Sequence, residues 1–306
     1  MSSPRFRRVH AISDLHVDYK GNRDEIEAWS DEDYQNDSLI VAGDVTDRLE
    51  ILEQTFVTLL RKFHRVFYVP GNHELWIRKD TMNHSLEKFA AILDLCKRLG
   101  VKTEPEMIRS RQGAVHILPL FSWYTQPEEG EGHMYFEKKA KDETKDIWND
   151  FFLCKWPDLG EFPTLTHYFL SLNEPHLKKL EEDHVDDPVP VISFSHFLPR
   201  QDLVFSDKNW QQKLTQYKDP LPQFNFTRVA GSTLIDEQLR RANAVMHVYG
   251  HQHLNRWRTE DGVLYVSNCM GYPKERDSQM LTTSKPKALP KLLWSDGHFA
   301  HEEQEY

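Results

Sequence analysis

Cysteine is scarce in this chain. Only Cys96, Cys154 and Cys269 occur among 306 residues, widely scattered and without CxxC spacing. An odd number so spread argues against a disulfide framework and predicts reduced, buried thiols. Long apolar runs are missing too, and none approaches the ~18 residues of a membrane-spanning helix. The basic stretch at residues 1–8 leads into no apolar segment, so no signal peptide is visible. The expectation is a cytoplasmic protein, with a nuclear location as the other option, and no membrane partner. Positive charge is in deficit, with 38 Lys and Arg against 48 Asp and Glu, a formal net charge of −10. That balance makes nucleic acid an unlikely partner and leaves small anionic substrates open. No repeat or low-complexity tract stands out, and nothing fixes an oligomeric state.

What the chain does have is a series of polar motifs, each following a run that reads as a strand. The segment 8–13 enters Asp14-Leu15-His16, and 38–42 enters Gly43-Asp44-Val45-Thr46-Asp47. Residues 65–70 lead to Gly71-Asn72-His73-Glu74, 190–195 to His196, and 244–249 to Gly250-His251-Gln252-His253. Short apolar, β-branched runs ended by polar or Gly residues signal strands. Sites in open α/β sheets lie beyond the carboxyl ends of the strands. Five strands therefore bring carboxylates, an amide and imidazoles to one edge, the mixed oxygen and nitrogen set suited to metal-assisted phosphate chemistry. A lone His or Asp would be more simply explained as a packed core group or a cap, but isolated residues would not keep this phase.

In this order the motifs resemble the calcineurin-like metallophosphoesterase family. The match spans positions 14 to 253, and Leu264-Tyr265-Val266 fits a further strand. The resemblance implies an α/β fold, a four-layer α/β/β/α sandwich of two mixed β-sheets flanked by helices, with a binuclear site at the C-terminal edge. It implies a first metal held by Asp14, His16 and His253 and a second by Asn72, His196 and His251, with Asp44 bridging. The cofactors would be two divalent or trivalent ions, drawn from Mn, Fe or Zn. His73 resembles the family's phosphate-contacting His that protonates the leaving oxygen. Asp47 matches the Asp that orients it in the phosphoprotein-phosphatase branch, or else N-caps the following helix. Arg48 matches a phosphate-binding Arg of that branch, and Arg200 is a second candidate fork for phosphate.

The implied reaction is attack on phosphorus by a metal-bridged hydroxide, with no covalent intermediate. The sequence departs from the Ser/Thr phosphatases at Asp47-Arg48-Leu49, at Pro70-Gly71-Asn72 and in the two histidines of GHQH. A small or nucleotide-like phosphoester is therefore the expected substrate. A phosphoprotein phosphatase is the alternative, and a catalytically poor scaffold that binds partner proteins is the reading from a different class.

Since the motifs run nearly end to end, one domain over 1–306 is expected, with insertions near 123–187 and 199–226 forming a cap. The first insertion is rich in aromatics, and Trp123 and Tyr124 are expected to stack on a planar substrate group. Trp210 and Tyr217 mark the second. Helices are predicted over 52–63, 85–99 and 233–241 from apolar residues at helical spacing, with Gly100 as a stop. The predicted face of the second of these is Leu86, Phe89, Ala90, Leu93 and Leu99. His10 and His247 fall inside strands and are expected to be packed.

Overall fold

The computed structural model describes residues 7–78, 81–127, 130–138, 140–183, 189–205, 221–277 and 288–300. The chain opens with β1 (Arg8–Ile12), α1 (Lys20–Glu27), β2 (Ser38–Ala42), α2 (Leu49–Lys62), β3 (Arg65–Val69) and α3 (Ser85–Leu99). It continues with β4 (Glu106–Arg109), β5 (Ala114–Pro119), α4 (Thr144–Ile147), α5 (Asp150–Leu153), α6 (Leu165–Ser171) and α7 (Glu174–Asp183). Then follow β6 (Val191–Phe194), α8 (Thr233–Arg241), β7 (Ala244–Tyr249), β8 (Arg256–Glu260) and β9 (Val263–Ser267). The last described elements are α9 (Pro273–Asp277), β10 (Lys291–Ser295) and β11 (His298–Phe299).

The strands form two mixed sheets, ordered β11-β10-β1-β2-β3 and β4-β5-β6-β7-β9-β8. Helices flank them, giving the expected four-layer α/β/β/α sandwich. β1, β2 and β3 run parallel, as do β5, β6, β7 and β9. The antiparallel pairings, such as β10 on β1 and β8 on β9, lie outside these parallel blocks. Every residue of β2 is buried, the signature of a parallel strand covered on both faces. One apolar cluster draws residues from both sheets and from the helices, among them Ile12, Ile40, Phe56, Val191 and Val248.

Parallel packing gives all five motif strands the same direction, so their ends emerge at one edge. Backbone bonds then tie the emerging loops together. Ser13 N–H donates to Asn268 O and Met270 N–H to Ser13 O, both at 2.9 Å, joining the end of β1 to the segment after β9. Asp14 N–H donates to Gly43 O and Gly250 N–H to His196 O, again at 2.9 Å.

Helix positions follow the apolar periodicity, and α8 has the predicted bounds. α3 also spans its predicted range, closed by Gly100 in the left-handed conformation at φ 82°. Its buried face is rotated from the one expected. Phe89, Ile92, Leu95 and Cys96 are buried, whereas Ala90 is exposed and Leu86, Leu93 and Leu99 are only partly covered. The reason is Lys88, which is drawn inside because its Nζ donates to Asp47 O at 2.5 Å and Trp76 O at 2.6 Å. All three cysteines are free thiols. Among the described residues no helix is long and apolar enough to cross a membrane.

Candidate metal centre

The loops that leave β1, β2 and β7 turn sharply. Asp14, His16, Asp44, His251 and His253 all have positive φ, between 41° and 72°. Non-Gly residues rarely adopt this region, and such strain gathers at functional sites. The motif glycines are needed for close approach. A Cβ on Gly43 would stand 2.5 Å from His196 Nδ1, one on Gly250 2.8 Å from Asp14 Oδ2, and one on Gly71 would collide with Asp44 Oδ1.

With Asn72 and His196 from the ends of β3 and β6, these turns bring seven side chains together. His16 Nε2 lies 3.0 Å from His253 Nε2, which is 3.4 Å from Asp14 Oδ1. His196 Nε2 lies 3.1 Å from Asn72 Oδ1, 3.2 Å from His251 Nδ1 and 3.5 Å from Asp44 Oδ1. The other oxygen, Asp44 Oδ2, is 4.0 Å from His16 Nε2. Two groups result, Asp14-His16-Asp44-His253 and Asp44-His196-His251, and either could hold a metal ion. Asp44 belongs to both and turns one oxygen toward each.

The proton positions at this centre fit a metal ion. His196 Nδ1 lies 2.9 Å from Ala42 O, a group that only accepts, so Nδ1 carries the proton and Nε2 a lone pair. His251 Nε2 likewise donates to Val229 O at 3.0 Å, leaving a lone pair on Nδ1. Asn72 Nδ2 donates to Asp150 Oδ1 at 2.9 Å, so its Oδ1 faces inward. Three lone pairs therefore converge with no proton between them, beside a carboxylate oxygen. That repulsive arrangement is what a cation resolves. His253 is oriented in the same way, with Nδ1 2.8 Å from Glu275 Oε2 and Nε2 toward the centre. Hydrogen bonds on the far nitrogen of a ligating imidazole are the usual means of holding it.

The electrostatics agree. Burial, Glu74 and Asp14 push the Asp44 carboxyl well above its ordinary range. Burial also works to lower His253, but Asp14 and Glu275 lift it to about 10, so a positive charge is held between them. Burial depresses His196 and depresses His251 further. The centre thus disfavours a bare Asp44 carboxylate and keeps His196 and His251 neutral and lone-pair-bearing, while Asp14 and His253 hold opposite charges.

His73 stands at the margin of the centre, with a side chain 15% exposed and Nε2 3.8 Å from Asp44 Oδ2. Its backbone N–H donates to Asp44 Oδ1 at 3.0 Å. Its ring lies against Trp76, with centroids 3.7 Å apart. Burial, then His16 and its neighbours, holds it well below the ordinary histidine value.

Four other expectations need correction. Asp47 neither orients His73 directly nor caps α2. Its carboxylate binds Arg78, and the N-cap is Arg48, with no side-chain capping bond. Asp47 reaches His73 indirectly, through Arg78, whose guanidinium lies 5.0 Å from the centre of the Trp76 ring that packs on His73, and through Lys88, which bonds Asp47 O and Trp76 O. Arg200 is not a free phosphate fork, because Asp202 at 2.8 Å, Asp261 at 2.9 Å and Asp236 at 3.5 Å surround it. Trp123 and Tyr124 are each 1% exposed and belong to the core. They stack on each other and pack against Phe197, so neither face is open to a substrate. Arg48 is exposed. Trp210 and Tyr217 lie outside the described residues.

Sequence reasoning missed the groups that hold the centre from behind. Glu74 accepts the backbone N–H groups of Val45 at 2.5 Å, Gly71 at 2.7 Å, Asp44 at 3.1 Å and Thr46 at 3.2 Å, clasping the loops after β2 and β3. Its place in the Gly-Asn-His-Glu motif was the available signal. Tyr272 lies 4.4 Å from the His16 ring and 4.9 Å from that of His253. Asp150, Glu275 and Tyr272 sit far from the motifs, and nothing in their local sequence marks them.

Comparison with known proteins follows the same lines. Residues 7–255 match the calcineurin-like phosphoesterase family. The acyl-carrier-protein phosphodiesterase PptH of Mycobacterium tuberculosis is 30% identical over 297 residues, covering 94% of this chain and 85% of that protein. The crystal structure of the phosphopantetheinyl hydrolase PptH from Mycobacterium tuberculosis aligns over 97% of this chain and 99% of its own, with a TM-score of 0.72 and 26% identity. With its motifs, its two-sheet fold and a match over most of its length, the chain belongs to the calcineurin-like phosphoesterase family and is a metal-dependent phosphoester hydrolase.

Proposed function

We propose that the protein hydrolyses a phosphodiester of a phosphopantetheinyl group carried on an acyl carrier protein, at a binuclear centre. The convergence of unprotonated donors from Asn72, His196 and His251 carries the metal assignment. Likeness to PptH over 94% of the chain carries the substrate class. Asp14, His16 and His253 would hold the first ion and Asn72, His196 and His251 the second, with Asp44 shared. Such ions, when bound, activate water at neutral pH and neutralise charge on phosphoryl oxygens.

The chain's own residues do the rest. Asp44 sets the spacing of the two halves through its separate oxygens. His73 Nε2, at the margin of the centre, delivers a proton to the leaving oxygen. An anionic phosphate beside that imidazole counteracts the burial that keeps it neutral. Trp148, Phe224 and Phe226 form an aromatic wall beside His251, with Trp148 and Phe226 centred 5.7 and 5.3 Å from its ring. That wall, in place of Trp123 and Tyr124, is suited to the apolar part of a pantetheinyl arm. The described parts of the insertions around 123–187 and 199–226 act as a cap within a single domain. Manganese, iron or zinc fits the mixed donor set, and the free thiols agree with a cytoplasmic setting.

The test is elemental analysis after supply of Mn, Fe or Zn, followed by a panel of phosphopantetheinyl carrier protein, cyclic nucleotide, phosphopeptide and aryl phosphoester. Two ions per chain and preference for the carrier protein are expected. Absence of bound metal sinks the centre, and preference for phosphopeptide restores the phosphatase alternative.

A further inference from the structure

Asp150 begins α5, a short helix in the inserted segment, 78 residues from Asn72. It is 2% exposed. Oδ1 accepts from Asn72 Nδ2 at 2.9 Å and from Trp76 Nε1 at 2.6 Å. Oδ2 accepts from Trp148 Nε1 at 2.7 Å, and the Tyr124 hydroxyl approaches the same carboxylate. Four donors thus meet one side chain. Only a carboxylate meets that demand, since it offers about four lone-pair sites. An Asn would bring an NH₂ of its own against them.

Two of these donors belong to the catalytic edge. A primary amide can present either its oxygen or its nitrogen to the centre. Because Asp150 takes the nitrogen of Asn72, the oxygen faces His196 Nε2 at 3.1 Å. Trp76 supports the ring of His73 from behind, 31° from parallel. The remaining donors, Trp148 and Tyr124, lie in the insertion.

We propose that Asp150 is a positioning residue that sets the orientation of the Asn72 amide and of the Trp76 indole, making the insertion part of the catalytic centre. Without it the Asn72 amide is free to turn its NH₂ inward, where it repels a cation. The inference rests on the metal assignment above.

The experiment is a Mn²⁺ titration of metal-stripped protein, comparing Asp150→Asn with Tyr124→Phe. Both disturb the same buried cluster, but only the first removes the acceptor that faces Asn72. Loss of a group that orients a ligand weakens metal binding by roughly 10–100-fold. That loss is expected for one of two ions in Asp150→Asn, with Tyr124→Phe within about threefold of wild type, a margin set well below that range. Adding Asn72→Asp to Asp150→Asn reverses the polarity of the pair and is expected to recover affinity. Wild-type affinity for both ions in Asp150→Asn overturns the proposal, as does an equal loss in both single variants. Should Asp150→Asn fail to fold, the double variant decides. Folding with metal bound supports the proposal, and failure overturns it. A wild-type protein that binds no Mn²⁺ instead defeats the metal assignment itself.

Discussion

Glu275 and His253 share a proton across 2.8 Å, from Nδ1 to Oε2, and this contact turns the opposite ring nitrogen toward Asp14 and His16. Glu275 is itself fixed, because its Oε2 also accepts the Tyr272 N–H at 2.7 Å. The carboxylate is 22 residues beyond the last motif, yet it sets how that motif points.

Glu275→Gln removes the charge and keeps the shape. An anion behind the ring favours a divalent ion over a single proton, so its loss weakens the first metal. Affinity should fall about 10-fold or more while the fold persists. Calorimetric Mn²⁺ titration, with circular dichroism as the control, checks this.

His73→Ala should leave both ions in place and lower kcat by roughly 10²–10⁴-fold on substrates with poor leaving groups. The loss should shrink for an aryl ester whose leaving group needs no proton. An equal loss on both would make His73 a phosphate-binding group instead.

Stability should fall toward acid partly through His247. It lies on β7, fully buried beside β6, with Ser193 Oγ at 2.8 Å and Ser195 Oγ at 3.1 Å from its two nitrogens. Burial lowers it from 6.5 to about 3. Between those values the unfolded chain takes up a proton that the native state refuses. The contribution is therefore neutral above pH 6.5 and increasingly destabilising down to about 3. The slope approaches about 1.4 kcal/mol per pH unit. Replacing His247 by Gln should flatten the fall of Tm between about pH 6 and 4, the interior of that window. An unchanged slope would assign the acid sensitivity to other groups, such as the metal-centre histidines and the paired carboxylates of Asp37 and Asp202.

Trp123→Ala should cost about 3–5 kcal/mol of stability, as deletion of a buried aromatic does. Activities on all substrates should then decline together with the folded fraction. A selective rise in KM for one substrate, with Tm unchanged, would return Trp123 to the pocket.

The strands and their polar ends were legible because parallel strands covered on both faces must be apolar, and because a ligand has to stand where a strand stops. The placement of Asp14, Asp44, Asn72, His196 and His251 at one edge follows from that rule, whereas the metal-binding role proposed for each comes from the family resemblance. The rest depends on contacts between residues far apart in the chain. Whether Trp123 lines a pocket or a core is decided by Phe197 and Phe169, which approach it only in the folded state. Arg200 reads as a free cation until Asp236 and Asp261 arrive from other elements. Asp150 shows no sign of its four donors in the residues beside it, since only Trp148 is near in sequence.

The five positive-φ turns at Asp14, His16, Asp44, His251 and His253 set the site against the durability of the molecule. A side chain in the left-handed region costs about 1–2 kcal/mol, more than the roughly 0.5–1 kcal/mol of extra backbone freedom that glycine loses on folding. Selection for heat resistance alone would therefore favour glycine at the very positions proposed to hold metal, and would arrive at a sturdier, inactive protein. Thermostabilising changes should be sought away from this edge, where stability and turnover are not in competition.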